Sequence, residues 1–453
     1  MEILRILEER FAVAVRKAIV KLVPEGSPHP ELTTDELLIR PSQNPQFGDY
    51  QANLAMPLGK RLHRSPREIA SAVVAELLID DCCEPPTIAG PGFINLRLRT
   101  EFLADQLERM RSDERLGVTR PEKPLTIVID YSSPNCAKPM HVGHIRSTVI
   151  GDALYRILTF LGHRVISDNH IGDWGTQFGM ILYGYKHFSD KAAYARNPVE
   201  ELSRLYRLVR KIIDRQTAIS KGESVPDDPE LQKLSDAHPD INRLAQLETA
   251  KLHAGDPENR QLWEEFQPAC RDEMERIYRR LHVTFDHTLG ESFYQPMLAG
   301  IVEEAIGRNV ATETEGAVGI FFTREELSPP ACDVPMLIRK KDGAFLYATT
   351  DLATIRYRID QWKPDRILYL TDHRQSLHFQ QLFVAVRKLG WPEMDLRHVS
   401  FGTVLGEDGK PFRTRSGDTI GLESLLDEAV ERARAVLDQS RSESGDIPES
   451  GER

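Results

Sequence analysis

Apolar residues recur along the chain at spacings that fix its elements one by one. At 125–130 a β-branched run, LTIVID, precedes Ile150, Leu154, Leu158 and Leu161 at helical spacing; Gly162 and a second apolar run, RVISDN at 164–169, follow. The run suits a buried parallel strand and the glycine closes a helix, so the stretch predicts a βαβ unit whose loop lies at the carboxyl edge of a sheet.

Upstream, Ile3, Leu7, Phe11, Val15 and Ile19 form one stripe of an amphipathic helix over 1–23. Ser65-Pro66-Arg67-Glu68 supplies an N-cap, a first-turn proline and a capping-box glutamate for a second helix, with Ile69, Val73 and Leu77 facing inward. GPGFINLRL at 90–98 alternates Ile94, Leu96 and Leu98 against Asn95 and Arg97, as a one-faced strand does. Residues 1–115 therefore read as a separate α+β domain, and the polar stretch that follows, with Gly117, Pro121 and Pro124, as a linker over 116–124. The βαβ region occupies 125–190. From 191 to 290 the chain turns charged and helical, with Glu201, Leu205, Leu208 and Ile212 spaced for one face. Strand patterns return in 291–420: VGIFF at 318–322, AFLYATT at 344–350, RILYLTD at 366–372 and HVSFGTVL at 398–405, with a helix over 351–360. A last helix over 422–437 gives way within 421–453 to a tail with too little apolar content to pack.

Composition narrows the function classes. At 453 residues there is room for two to four domains with substantial cores, no apolar run reaches membrane length, and charged residues occupy the N-terminus; a cytoplasmic protein is expected. The five cysteines form no C-x-x-C pair and no ligand ladder, so neither a structural metal nor a disulfide framework is indicated. A formal charge of −11 argues against bulk attraction to nucleic acid. Two basic runs remain as candidate contacts for a polyanion, Lys60, Arg61, His63, Arg64 and Arg67, then Arg204, Arg207, Arg210, Lys211 and Arg215; on the residues alone both read better as solvated helix faces.

Candidate chemistry lies in the βαβ loop, where His141, Gly143 and His144 fall at a helix N-terminus. Free backbone N–H groups there favour phosphate, a glycine lets a ligand approach, and two imidazoles can donate to one anion. Taken alone, His-x-x-His also fits a satisfied pair at a helix start or half of a metal site.

The longer string, SSPNCAKPMHVGHIRST, resembles the HIGH-type motif of arginyl-tRNA synthetases, a class I aminoacyl-tRNA synthetase family; its centre runs Pro134, Asn135, Cys136, Ala137, Lys138, Pro139, Met140, His141, Val142, Gly143, His144. DNHIGDWGTQFG at 168–179, ESFY at 291–294, LYATTDLA at 346–353 and LGEDGKPFRTRSGD at 405–418 follow in the family's order, and NPQFGDYQANLAM at 44–56 and GPGFINLRL resemble its additional N-terminal domain, which contacts the tRNA elbow. The resemblance implies an α/β fold: a Rossmann-type parallel-sheet catalytic domain with a helical insertion at 191–290, preceded by the small α+β domain. It implies ATP, with Mg2+ on its phosphates, L-arginine and tRNA(Arg) as substrates, a monomer, and no membrane.

The resemblance also implies roles. His141, Gly143 and His144 meet the triphosphate, and Lys138 supplies a cation, because the loop that is KMSKS in other class I enzymes here offers Lys410, Arg413 and Arg415 instead. His170, Gly172 and Asp173 fall on the ATP side. Tyr347, Asp351 and Asp130 match positions that hold the guanidinium, while Ser133, Asn135 and Gln375 match those holding the α-amino and carboxylate groups. Read without the family, Lys138 is a loop lysine in water, Asp351 an N-cap and Asp130 a strand-end turn residue. Members of the family continue into a helical domain that reads the anticodon, and the resemblance stops before it. A paralogue that adenylates arginine for another acceptor, or a non-catalytic tRNA-binding module, is therefore an alternative expectation.

Overall fold

The structure, a computed structural model, describes residues 2–23, 34–136, 140–402 and 421–444. It divides into two compact units, Met1–Glu122 and Lys123–Arg453.

In the first unit the helix Glu2–Leu22 buries Leu7, Phe11, Val15 and Ile19 against Ile69 and Val73 of the helix Pro66–Glu76 and against a four-stranded antiparallel sheet. Apolar burial of this extent drives its folding. Two local expectations change. Ser65 is the N-cap but its side chain makes no capping hydrogen bond, and Glu68 pairs with Arg64 at 2.7 Å instead of closing a capping box. Asn95, on the opposite strand face from Ile94 and Leu96, is buried as well and accepts from Gln51 Nε2 at 2.8 Å, a cross-strand pair that satisfies a buried amide. The basic runs are largely engaged within the fold: Arg61 with Glu36, Arg64 with Glu68, Arg204 with Glu201 and Arg210 with Asp214.

The second unit is built on a five-stranded parallel sheet, ordered Asp395–Phe401, Arg366–Asp372, Thr126–Asp130, Arg164–Asn169, His287–Thr288. Ile127, Val128 and Ile129 are fully buried, as a central parallel strand requires. Helices from Thr176–Phe188 to Pro257–Leu281 enter between the fourth and fifth strands of that order. A separate antiparallel sheet of Ala311–Thr314, Ala317–Ile320 and Met336–Arg339 leads into the helix Tyr347–Trp362. Among the described residues no helix is long and apolar enough to cross a membrane.

Several element expectations are corrected. VGIFF is strand only to Ile320. AFLYATT is not a strand: the helix begins at Tyr347, and Ala348, Leu352, Ile355 and Ile359 bury one helical face that an alternating reading of 344–350 misses. Thr349 Oγ1 donates to the Ile338 carbonyl and ties that helix start to the small sheet. The last helix runs from Leu422 to Ser444, past the expected end at 437. Residues 403–405 and 445–453 lie outside the described residues.

The helix Val142–Leu161 also differs from its pattern. Its buried residues are Val142, Ser147, Thr148 and Gly151, whereas Ile150 is 37% exposed. The reason is closeness: Ser147 Oγ donates to the Leu370 carbonyl at 2.7 Å and accepts from Ser132 N, and Gly151 lies flat on the Tyr131 ring. Tyr131 is fully buried and cannot retreat, so Gly151→Ala should destabilise the unit by about 1–3 kcal/mol. Gly300, on the helix Leu298–Gly307, has open space at the same position, and Gly300→Ala should be neutral or stabilising by up to about 1 kcal/mol in urea unfolding.

Candidate active site

The carboxyl edge of the sheet gathers the candidate residues, beginning with the helix that starts after His141. His141 is its N-cap: Nδ1 accepts from Gly143 N at 3.1 Å, and His144 Nδ1 accepts from His141 N at 3.1 Å. The two rings stack at 4.0 Å between centroids. Both imidazoles thus accept through Nδ1, which in the neutral tautomer leaves the proton on Nε2. The expectation of a free amide at Gly143 is corrected, since the His141 ring occupies it. The glycine makes room for that ring, which a Cβ would meet at 2.9 Å.

This helix start is pinned from the C-terminal side. Leu422 N donates to Met140 O at 2.8 Å, His141 bridges Gly421, and Arg146 Nη1 donates to Gly402 O. Both flanks of 403–420 therefore meet the histidine helix. Lys410, Arg413 and Arg415 in that segment, and Ala137, Lys138 and Pro139 in the loop, lie outside the described residues. Cys136 is a buried thiol whose pKa burial pushes well up, an apolar filler in the same core cluster as Met140.

Ser132 and Ser133, just after the strand Thr126–Asp130, both adopt left-handed backbone, at φ 71° and 48°. A hydrogen-bond network holds this costly conformation: Ser133 N to Asn169 Oδ1, Ser133 Oγ to Asp130 Oδ1, and Ser132 Oγ with Tyr278 OH. Asp130 is not open to a second guanidinium. Arg358, fully buried, reaches Asp130 Oδ2 at 2.6 Å and Asp168 Oδ2 at 2.8 Å, and its guanidinium lies 5.5 Å from the Tyr369 ring. Burial raises the Asp168 pKa despite the arginine, whose own pKa is held well above its usual value. The expected substrate contact at Asp130 is thereby replaced by an internal one, for a buried carboxylate needs its paired cation.

In DNHIGDWGTQFG two of the three glycines face protein, and Gly175 faces a cavity. Gly172 lies against the Asn135 amide, exchanging backbone hydrogen bonds with Pro134 and Cys136, and Gly179 lies against Thr249 and the Ala245 carbonyl. Asp173 has no exposure and accepts from Ser292 N at 2.8 Å and Ser292 Oγ at 2.7 Å, which corrects its expected contact with ATP. His170 packs 5.3 Å from the Tyr294 ring.

Glu291 lines a cavity of about 290 Å³ together with Trp174, Gly175, Thr176, Lys340 and Tyr347. Burial pushes Glu291 up to about 7, with His170 opposing and Asp173 and Asp351 adding to the shift. Burial and then Glu291 raise the Tyr347 phenol. Asp351, in the second turn of the helix Tyr347–Trp362, has Oδ2 2.6 Å from His378 Nε2. Gln375 is exposed on the turn His373–Gln375. Among the described residues no group of three or more His, Cys, Asp or Glu side chains could hold a metal ion.

The family model described as tRNA synthetases class I (R), catalytic domain, matches residues 106–448, and the arginyl tRNA synthetase N terminal domain matches 7–98. The chain belongs to the class I arginyl-tRNA synthetase family. It is similar to an arginine–tRNA ligase of Rhodopirellula baltica, 46% identical over 92% of this chain and 70% of that protein, and to one of a Cyanothece strain, 43% identical over 89% and 65%. The crystal structure of arginyl-tRNA synthetase from Plasmodium falciparum superposes with a TM-score of 0.69 at 26% identity, covering 97% of this chain and 70% of that one. The Thermus thermophilus arginyl-tRNA synthetase, at 21% identity and a TM-score of 0.70 over 98% and 72%, shares the fold. The chain thus spans 65–70% of the length of the two ligases.

Three residues gathered at this sheet edge were not assigned a role from sequence: Glu291, Arg358 and His378. Glu291 opens the ESFY motif, so a motif marked its place but no spacing rule gave it a partner. The buried Glu291 carboxyl has a folded pKa above its unfolded value, so its stabilisation is full below the unfolded pKa and is lost as pH rises toward about 7. Glu291→Gln should therefore match the parent in urea unfolding at about pH 4 and exceed it by about 2 kcal/mol at about pH 8.

Proposed function

We propose that this chain is an arginine–tRNA ligase, condensing L-arginine with ATP and passing the arginyl group to the 3′ end of tRNA(Arg). The observation that carries the reading is the convergence of two chemistries on one sheet edge. A pair of stacked imidazoles caps one helix there, and an aromatic cavity holding the Glu291 carboxyl lies at the start of another, which also carries Asp351.

In this reading the arginine carboxylate attacks the α-phosphorus of ATP in line; a carboxyl–phosphate bond forms as the bond to pyrophosphate breaks. A terminal ribose hydroxyl of the tRNA then attacks the carbonyl and releases AMP. His141 and His144 donate Nε2–H to the triphosphate, His170 and Gly172 lie on its side of the pocket, and Lys138, Lys410, Arg413 and Arg415 add positive charge where negative charge develops. Mg2+ travels with the phosphates. Asp351, Glu291 and Tyr347 hold the guanidinium, and Ser133, Asn135 and Gln375 hold the α-amino and carboxylate groups. The N-terminal unit takes the tRNA elbow. The enzyme works as a cytoplasmic monomer.

Arginine-driven ATP–pyrophosphate exchange, run with and without tRNA(Arg), tests the reading; absence of exchange under both conditions would overturn it. Asp351→Ala should raise the arginine KM by about a hundredfold and leave the ATP KM near the parent's. An unchanged arginine KM would remove Asp351 from the pocket.

A further inference from the structure

Asp351 is not alone: one of its two oxygens is already engaged. His378, in the first turn of the helix Ser376–Lys388, brings Nε2 to 2.6 Å from Asp351 Oδ2, and both side chains keep partial exposure, 30% and 24%. The imidazole is wedged by aromatic packing. Its ring meets Phe379 edge-on at 5.4 Å; Phe379 stacks on His398 at 4.7 Å, and His398 Nε2 lies 2.8 Å from Thr371 Oγ1. A carboxylate held this way cannot rotate freely, and its second oxygen has one orientation to offer a planar cation.

We propose that His378 is a positioning residue for arginine selection, fixing the Asp351 carboxylate and setting the net charge that the incoming guanidinium meets. The inference rests on the reading of Asp351 as the guanidinium partner. With His378 protonated the pair is neutral and presents a second cation to a cationic substrate. With His378 neutral the same hydrogen bond persists through Nε2–H, and the pair carries one negative charge.

The surroundings permit such titration. Burial and the positive end of its own helix work against the imidazolium, and the hydrogen bond and charge of Asp351 more than offset the burial, so its pKa is raised. From the strand Asp395–Phe401 the facing titratable group is His398, whose own pKa is lowered, first by burial. Tyr369, on the strand Arg366–Asp372, senses Asp351. On Met336–Arg339 the charge is Arg339, paired with Glu313 at 3.6 Å, and on the turn His373–Gln375 both His373 and Arg374 lie against Asp372. Glu291, which also interacts with Asp351, adds negative charge as pH rises through about 7.

The sign follows: arginine affinity rises with pH. In aminoacylation assays the parent's arginine KM should fall by about tenfold between about pH 6 and about pH 8.5, with the ATP KM unchanged. His378→Gln keeps an N–H donor without a proton to lose. Its arginine KM should lie below the parent's at the acid end and follow a shallower profile, retaining only the slope of Glu291, with kcat within about twofold. His378→Leu removes the donor and should raise the arginine KM at the alkaline end, where His378→Gln should stay near the parent.

A parent KM that is flat across this range, or a His378→Gln profile that overlays the parent's, would overturn the inference. Asp351→Asn separates the two levels. Unchanged arginine KM in that variant removes the guanidinium reading itself, whereas a raised KM beside an unaltered His378→Gln profile removes only the part assigned to His378. Should His378→Leu fail to fold, the parent and His378→Gln profiles decide alone.

Discussion

Arg358 is the interaction on which the catalytic unit is assembled. Its guanidinium has no exposure and joins the ends of two central strands, through Asp130 and Asp168, to the helix Tyr347–Trp362. Three charges in a dry interior are tolerable only together, since removing any one leaves the others without compensation. The triad therefore fixes the height of that helix against the sheet edge. Asp351 sits two turns earlier on the same helix, so where the buried arginine anchors, the acid beside the cavity is set as well.

The same logic of mutual constraint runs through the loops. Two consecutive serines in left-handed backbone are held by Asn169, Asp130 and Tyr278, and an acid that cannot reach water is held by Ser292. These groups shape the pocket from behind. Unpaired they would be costly; paired, they leave Glu291 as the acid that lines the cavity.

Much of this architecture is legible in the chain. The stripe from Leu7 to Ile19, the run from 125 to 130 and the glycine at 162 gave their elements because period and punctuation agree there. Reading was incomplete where side chains serve close approach instead of bulk: Ser147, Thr148 and Gly151 are buried positions of the histidine helix, while Leu154 and Leu158 pack only partly buried against the core and Ile150 is exposed. AFLYATT alternates over a short window although a longer one carries a helical face. At the site, motif letters located Asp351, Tyr347 and the histidines, while Asp130 and Asp173 were read as contacts for a ligand. Their internal partners, Arg358 and Ser292, lie far away in sequence, and no local pattern announces them.

On the function proposed above, the helix cap at His141 and His144 has a consequence for the energetics of nucleotide capture. Each ring is tethered to backbone through Nδ1 and pressed on the other, so its rotamer is selected while the chain folds. Rotational freedom that flexible side chains would surrender to an arriving anion has been relinquished beforehand, and the attraction between ring and phosphate is left undiminished by it. In that sense the first turn of one helix works as a preorganised receptor, and a substitution that merely frays it would weaken capture without touching any group that meets the nucleotide.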